Sequence, residues 1–354
     1  MIEQGIGNVG DWPSFFALAR RHRVFSLVAE RLRAVRAVPA AIEEQLRGAC
    51  RRHAVRNLQL ASEARRLTAA LEAEGIACAV LKGGALSMRA YGQPLLRDAR
   101  DVDLLVAPHA LSRAGAVLAA AGLRLEKPAA QWRAVQALFR RYSHEYMLSA
   151  PSGVVVELKT RLHPTGGLMP VSVSALLERR VRVSVAGLDL PGLADEDLLP
   201  YLCGHGARHC WFRLKWLADI AALATHGMPS SSLFDQLEAV RRLGGEVAVL
   251  EALLLAHDWL GADIPEAILV QARAHPLVAR RRMLVEAAVR APAMMPFADP
   301  AFERMADRSE YLLRADAGYR LAVLERHLAR RLQSAVRKMG WATQPPSGLP
   351  SGGG

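Results

Sequence analysis

The sequence predicts an α+β protein: a small mixed β-sheet core, with a helical N-terminal segment before it and a helical C-terminal domain after it. Three observations lead there. Apolar residues recur at helical spacing before residue 75 and again after residue 195. Between those stretches, short apolar runs of strand length alternate with glycine and proline turns. Hydrophobic residues make up 51 % of the 354 positions against 23 % charged, the balance of a chain with a sizeable core rather than a disordered one.

In the N-terminal segment, residues 1–75, Phe15, Leu18 and Ala19 and then Phe25, Leu27, Val28 and Leu32 mark one face of helical turns. Pro39 punctuates, and an amphipathic stretch over 40–74 ends at Gly75, a residue suited to the position after a helix. The core unit, residues 76–190, opens with a strand over 76–81. The Lys82-Gly83-Gly84 turn, a short helix over 85–91 and a turn at Gly92 and Pro94 follow. A second strand over 102–106, a helix over 108–121 closed by Gly122, a strand over 123–125 and a helix near 131–140 come next. Strands over 146–150 and 154–158 are joined by a turn at Pro151-Ser152-Gly153, and 180–190 reads as a hairpin around Gly187. The helical domain, 191–343, carries helices over 195–225, 232–242, 245–260, 265–274, 276–290 and a basic 311–339. The Pro, Ser and Gly tail 344–354 is expected to be disordered.

The net charge is +12, which favours polyanions such as nucleotides, nucleic acid or an anionic membrane surface. Only five residues are Lys and 41 are Arg, and the arginines are scattered apart from runs such as Arg280-Arg281-Arg282. A solvated surface is therefore the preferred reading over a nucleic-acid stripe, and aromatics for base stacking are only 6 %. No apolar run reaches the ~20 residues that cross a bilayer. The opening residues show no basic region followed by an apolar one, and four cysteines in this length make no disulfide framework. A reducing, cytoplasmic setting is expected.

Three features of the core unit carry chemistry. Lys82-Gly83-Gly84 lies between an apolar strand and a helix, where backbone N–H groups at a helix N-terminus suit a phosphate; a tight turn alone would also call for glycine. In Asp101-Val102-Asp103-Leu104, strand alternation projects Asp101 and Asp103 together while Val102 and Leu104 enter the core. Two such carboxylates repel unless a cation lies between them, and a divalent metal with oxygen ligands is the usual resolution; partial capping and solvation is the other reading. Glu157 lies on the face of its strand shared by Val155 and Lys159, and a carboxylate buried there needs Arg, Lys or a metal. On an edge strand it would simply meet water.

Together these residues resemble the nucleotidyltransferase superfamily that includes DNA polymerase β. The chain closely resembles one branch of it, the bacterial family of uncharacterised nucleotidyltransferases. The pattern is Leu81-Lys82-Gly83, Tyr91, Pro94, Arg97 and Asp101-Val102-Asp103-Leu104-Leu105-Val106, with Arg56-Asn57-Leu58 upstream, over roughly residues 11–260. Two positions depart from it. Gly83-Gly84 stands where the superfamily usually has Gly-Ser, so no serine hydroxyl meets a phosphate there. Lys159 stands where relatives commonly carry His; it could pair with Glu157 or a phosphate, or mark a repurposed third metal ligand.

Farther on, Cys203, His205, His209, Cys210, Trp211, Trp216 and Asp219 cluster. On one continuous helix of ~100° per residue, with His205 at zero, His209, Trp216 and Asp219 fall at about 40°, 20° and 320°. Cys203 and Cys210 fall at about 160° and 140°, so the cysteines and histidines cannot converge on one zinc ion. The cysteines are read as small buried apolar residues. The stripe of His205, His209, Trp216 and Asp219 either packs, with Asp219 hydrogen-bonding a histidine, or helps to hold a nucleotide. In the family this stretch is a recurrent signature, which implies packing against the catalytic unit.

The resemblance implies Mg²⁺-dependent transfer of a nucleoside monophosphate from an NTP, with ATP the first candidate, to a small-molecule or peptide acceptor. Asp101, Asp103 and Glu157 would be catalytic and hold the metal. Lys82, Gly83, Gly84, Arg97, Lys159, His205 and His209 would meet the nucleotide. The alternative is a non-catalytic nucleotide- or RNA-binding protein on the same fold.

Overall fold

The structure is a computed structural model that describes residues 9–35, 38–127, 144–165, 167–227, 230–291 and 299–338. The expected helix near 131–140 and the tail 344–354 lie outside them. Three helices open the chain: α1 (Trp12–Arg21), α2 (Phe25–Val35) and α3 (Ala40–Ala73). Asp11 caps α1, its Oδ1 accepting the Ser14 N–H at 3.0 Å. Phe16, Ala19, Ala29, Leu32 and Leu46 close a small core of their own. The far end of α3 enters the main core through Leu60, Ala64, Leu67 and Leu71. This 34-residue helix therefore spans both cores.

One mixed sheet follows, of β1 (Cys78–Val80), β2 (Asp101–Val106), β3 (Arg124–Lys127), β4 (Glu145–Ser149), β5 (Val155–Lys159), β6 (Val181–Val185) and β7 (Leu188–Gly192). Their order is β3-β4-β5-β2-β1-β7-β6. β2 runs antiparallel to β1 and parallel to β5. Val102 through Val106 are buried without a break, as befits a central strand covered on both faces. Helix α4 (Gly83–Tyr91) crosses from β1, and α5 (Leu111–Ala120) is entered through a tight turn of 3₁₀ helix at Pro108–Ala110. A short helix the sequence pattern did not announce, α6 (Val173–Glu178), buries Val173, Leu176 and Leu177.

The helix expected over 195–225 is two helices. α7 (Asp195–Arg208) ends at His209, α8 (Leu214–Ala222) begins five residues later, and a wide turn over Leu223–Gly227 follows. Cys210 and Trp211 both take φ of +49°, a left-handed conformation that no glycine relieves. What offsets that strain is burial. Trp211 is fully buried, folds back on Gly206, and donates its Nε1–H to Glu251 Oε2 at 2.8 Å. Cys203 and Cys210 are buried among apolar neighbours, as expected of small apolar residues.

The remaining helices are α9 (Ser230–Arg242), α10 (Glu246–Leu260), α11 (Glu266–Ala274), α12 (Pro276–Arg290), α13 (Pro300–Tyr311) and α14 (Ala317–Lys338). α10 is buried on every side from Val247 to Ala256 and forms the axis of this domain. Its Glu251 meets Arg281 of α12 at 2.8 Å, with both side chains out of solvent. Among the described residues no helix is long and apolar enough to cross a membrane.

Candidate active site

Strand pairing brings the acidic residues together. In the β2–β5 ladder Asp103 lies beside Glu157, and in the β4–β5 ladder Glu145 lies beside Lys159. Because successive side chains alternate, Asp101, Asp103, Glu145, Glu157 and Lys159 share one face of the sheet. Val102, Leu104, Tyr146, Leu148, Val156 and Leu158 fill the core on the other.

The Lys159 ammonium stands in the middle of this acidic face. Its Nζ is 2.9 Å from Asp103 Oδ1, 2.9 Å from Glu157 Oε2 and 3.0 Å from Glu145 Oε2. Lys82 approaches the other side of Asp103, with Nζ 3.4 Å from Oδ2. Burial works against the Asp103 carboxylate, but Lys159 and Lys82 outweigh it and hold its pKa well below the ordinary value. Burial pushes the Glu157 carboxyl up to about 7, against the pull of Lys159 and with the repulsion of Asp103. Burial also opposes the Lys159 charge, yet the surrounding carboxylates keep it protonated well above its ordinary range.

Asp101 is half-buried and, among the described residues, makes no ion pair. Asp101, and the Asp103 oxygen that Lys82 approaches only to 3.4 Å, lie on one strand face and could hold a single hard cation completed by ligand and water oxygens, whereas the other Asp103 oxygen is taken by Lys159. The three-carboxylate set does not close: Lys159 lies inside it, and among the described residues no group of three or more His, Cys, Asp or Glu is arranged to hold a metal ion.

The glycine turn forms the next wall. Gly83 has φ of +67° and opens α4, whose first turn has no side-chain cap, so its N–H groups remain available to an anion. Gly84 is required by packing. A Cβ there would lie 2.6 Å from Val185 Cγ1 and 3.4 Å from the Pro94 carbonyl oxygen, which accounts for glycine at a position where the family resemblance puts serine.

Arg97 is buried with Asp219 of α8, its Nε 3.0 and 2.9 Å from the two carboxylate oxygens. The Tyr91 hydroxyl donates to the same carboxylate at 2.9 Å. Asn57 on α3 steadies the loop that carries Arg97, donating Nδ2–H to the carbonyls of Leu95 at 2.7 Å and Arg97 at 2.9 Å. Asp219 thus serves Arg97 and Tyr91, where the sequence had suggested a histidine. The break between α7 and α8 nevertheless folds the stripe together: His209 stacks on Trp216 at 5.2 Å and His205 meets the edge of the same ring at 5.5 Å. Burial, with Lys82 and Arg208 nearby, holds both histidines well below their ordinary pKa, so they are neutral.

Asp101, Asp103, Glu157, Lys82, Gly83, Arg97, Lys159, His205 and His209 all line one cavity of about 210 Å³. Gly84 lines a smaller recess behind it. The same cavity wall includes Arg23, Glu145, Arg208 and Lys215, which the sequence reading did not single out. A signal for one of them was present: in a chain with five lysines, three (Lys82, Lys159 and Lys215) face this cavity. Arg23 comes from the turn between α1 and α2 at φ of +55°, and no local pattern marks it. A larger groove of about 580 Å³ in the helical domain, walled by Glu246, His275, Arg280, Arg314 and Asp316, includes none of the expected residues.

A family model described as an uncharacterised nucleotidyltransferase matches residues 8–261, from before α1 to the end of α10. An antigenic nucleotidyltransferase-like protein from Paracoccidioides brasiliensis, of known crystal structure, is similar at 18 % identity with a TM-score of 0.27. That likeness covers 60 % of this chain and 95 % of the other, and at such a TM-score it carries no argument. No curated protein matches the chain. With the family match extending over the N-terminal helices, the whole sheet and the α7–α8 break, the chain belongs to the family of uncharacterised nucleotidyltransferases.

Proposed function

We propose that the chain transfers a nucleoside monophosphate from an NTP, ATP first among the candidates, to a small-molecule or peptide acceptor with the help of Mg²⁺. The observation that carries this reading is the convergence of Asp101, Asp103 and Glu157 with the glycine turn and a set of cations on one cavity. At about 210 Å³ the cavity is smaller than the ~300–1,000 Å³ of whole-ligand pockets, so it suits the phosphate chain with the rest of the nucleotide outside.

Mg²⁺ held by Asp101 and Asp103 would neutralise charge on the phosphates as pyrophosphate departs. The N–H groups at the start of α4 would receive phosphate oxygens, beside Lys82. Arg97 has its Nη2 buried without a hydrogen-bond partner among the described residues, a donor available to an anion. Arg23, Arg208 and Lys215 are each pushed down in pKa by burial and by neighbouring cations, and a polyanion would relieve all three. Glu157 faces the cavity from β5 and would orient the attacking group of the acceptor.

A second reading, nucleotide binding without turnover, draws on one observation: Lys159 already occupies the middle of the acidic face, paired with Asp103 and Glu157. Calorimetry with ATP and GTP, with and without Mg²⁺, tests the nucleotide site common to both readings, and release of pyrophosphate separates them. Mg²⁺-dependent binding that disappears in Asp101→Asn/Asp103→Asn is the expected result. Strongly salt-dependent RNA binding with no NTP affinity would overturn it.

A further inference from the structure

Resting on the Mg²⁺–NTP reading, we infer that Lys159 is a tethered cation occupying one of two cation positions on the acidic face, so that this site takes a single divalent ion. Two-metal sites place a pair of ions ~3.5–4 Å apart between shared carboxylates. Here the position among Asp103, Glu157 and Glu145 is filled by an ammonium group within 3.0 Å of all three.

Lys159 is also poorly placed to withdraw. It lies on β5 between β2 and β4, is 5 % exposed, and its strand neighbours across the ladders are Leu105 and Glu145. Leaving the acidic face would strip its ammonium of three partners. The site therefore retains the electrostatic function of the second ion but binds the nucleotide with one metal.

Counting bound Mn²⁺ by electron paramagnetic resonance, with the full chain and a non-hydrolysable ATP analogue, tests this without needing turnover. The wild-type protein is expected to bind one Mn²⁺ per complex, and Lys159→Ala two. Lys159→Gln keeps most of the stem and its donors without the charge and is expected to bind two as well; it serves if the alanine variant does not fold. Two ions in the wild-type protein, or one in both a folded variant and the wild type, would overturn the inference while leaving the nucleotide reading standing. Absence of both nucleotide and Mn²⁺ binding in the wild-type protein would overturn that reading and this inference with it.

Discussion

Arg97 and Asp219, 122 residues apart, form a buried ion pair that ties the loop before β2 to helix α8. The arginine is 3 % exposed and the aspartate 1 %. Burial opposes the Arg97 charge, and Asp219 more than restores it, raising its pKa. Removing one partner leaves a charge buried alone, so Asp219→Asn is expected to cost ~3–5 kcal/mol of stability. It should also loosen the wall that presents Arg97 Nη2 to the cavity. Urea unfolding of the variant checks the first point; an unchanged midpoint would show that the pair does not fasten the two halves.

Gly84→Ser tests whether the missing serine hydroxyl is a functional loss or a packing requirement. The new Cβ would meet Val185 Cγ1 at 2.6 Å, and that fully buried side chain would have to give. Overpacking of this kind costs ~1–3 kcal/mol. The variant is expected to lose stability without gaining NTP affinity, and Val185→Ala in the same chain should restore part of the loss. A stable Gly84→Ser protein with tighter ATP binding in calorimetry would reverse the interpretation.

Much of this site could be read before any coordinates, because period-two alternation is a rigid rule. Asp101, Asp103 and Glu157 had to share a sheet face once their strands were recognised and paired. Sequence alone leaves Lys159 open between a partner of Glu157 and a repurposed metal ligand, and the structure pairs it with Glu157. Glu145 lies one residue before the strand that the pattern predicts over 146–150, and only the β4–β5 register reveals that it stands opposite Lys159. The α7–α8 break was invisible for a different reason. Cys210 and Trp211 adopt left-handed backbone with no Gly or Pro to announce it, and the compensating contact, Trp211 with Glu251, lies 40 residues away. Local pattern cannot report a turn that is stabilised by a distant buried partner.

That break gives a prediction whose sign runs against the usual rule. Replacing a mid-helix glycine with alanine ordinarily stabilises by roughly 0.5–1 kcal/mol. At Gly206 a Cβ would lie 2.1 Å from the Trp211 ring, which packs directly on the helix backbone. Gly206→Ala is therefore expected to destabilise, to release the Trp211–Glu251 hydrogen bond and to shift the near-ultraviolet dichroism of the protein. His209 lies beside this turn, so NTP affinity should fall as well. A variant as stable as the parent, with an unaltered aromatic spectrum, would show that the turn does not depend on this contact.

Stability should fall on mild acidification, because three further histidines are held in the neutral form besides His205 and His209. His22, His144 and His163 are 3 %, 8 % and 5 % exposed. Burial, reinforced by Arg21 for His22, Lys159 for His144 and Arg208 for His163, depresses each below the ordinary 6.5. The values reach about 4 for His22 and about 3 for His163. Between 6.5 and those values the unfolded chain binds protons that the folded chain refuses, so stability is full above 6.5 and is lost as pH falls. Each histidine contributes a slope of up to about 1.4 kcal/mol per pH unit in that window. Glu157, with its carboxyl raised to about 7, works in the opposite sense between 4.5 and 7, one group against these three and against His205 and His209. The urea midpoint is thus expected to be nearly level from pH 7.5 to 8.5 and to drop steadily from 6.5 to 5, with a shallower drop in His163→Gln. A midpoint that held steady down to pH 5 would mean that these imidazoles take up protons within the fold.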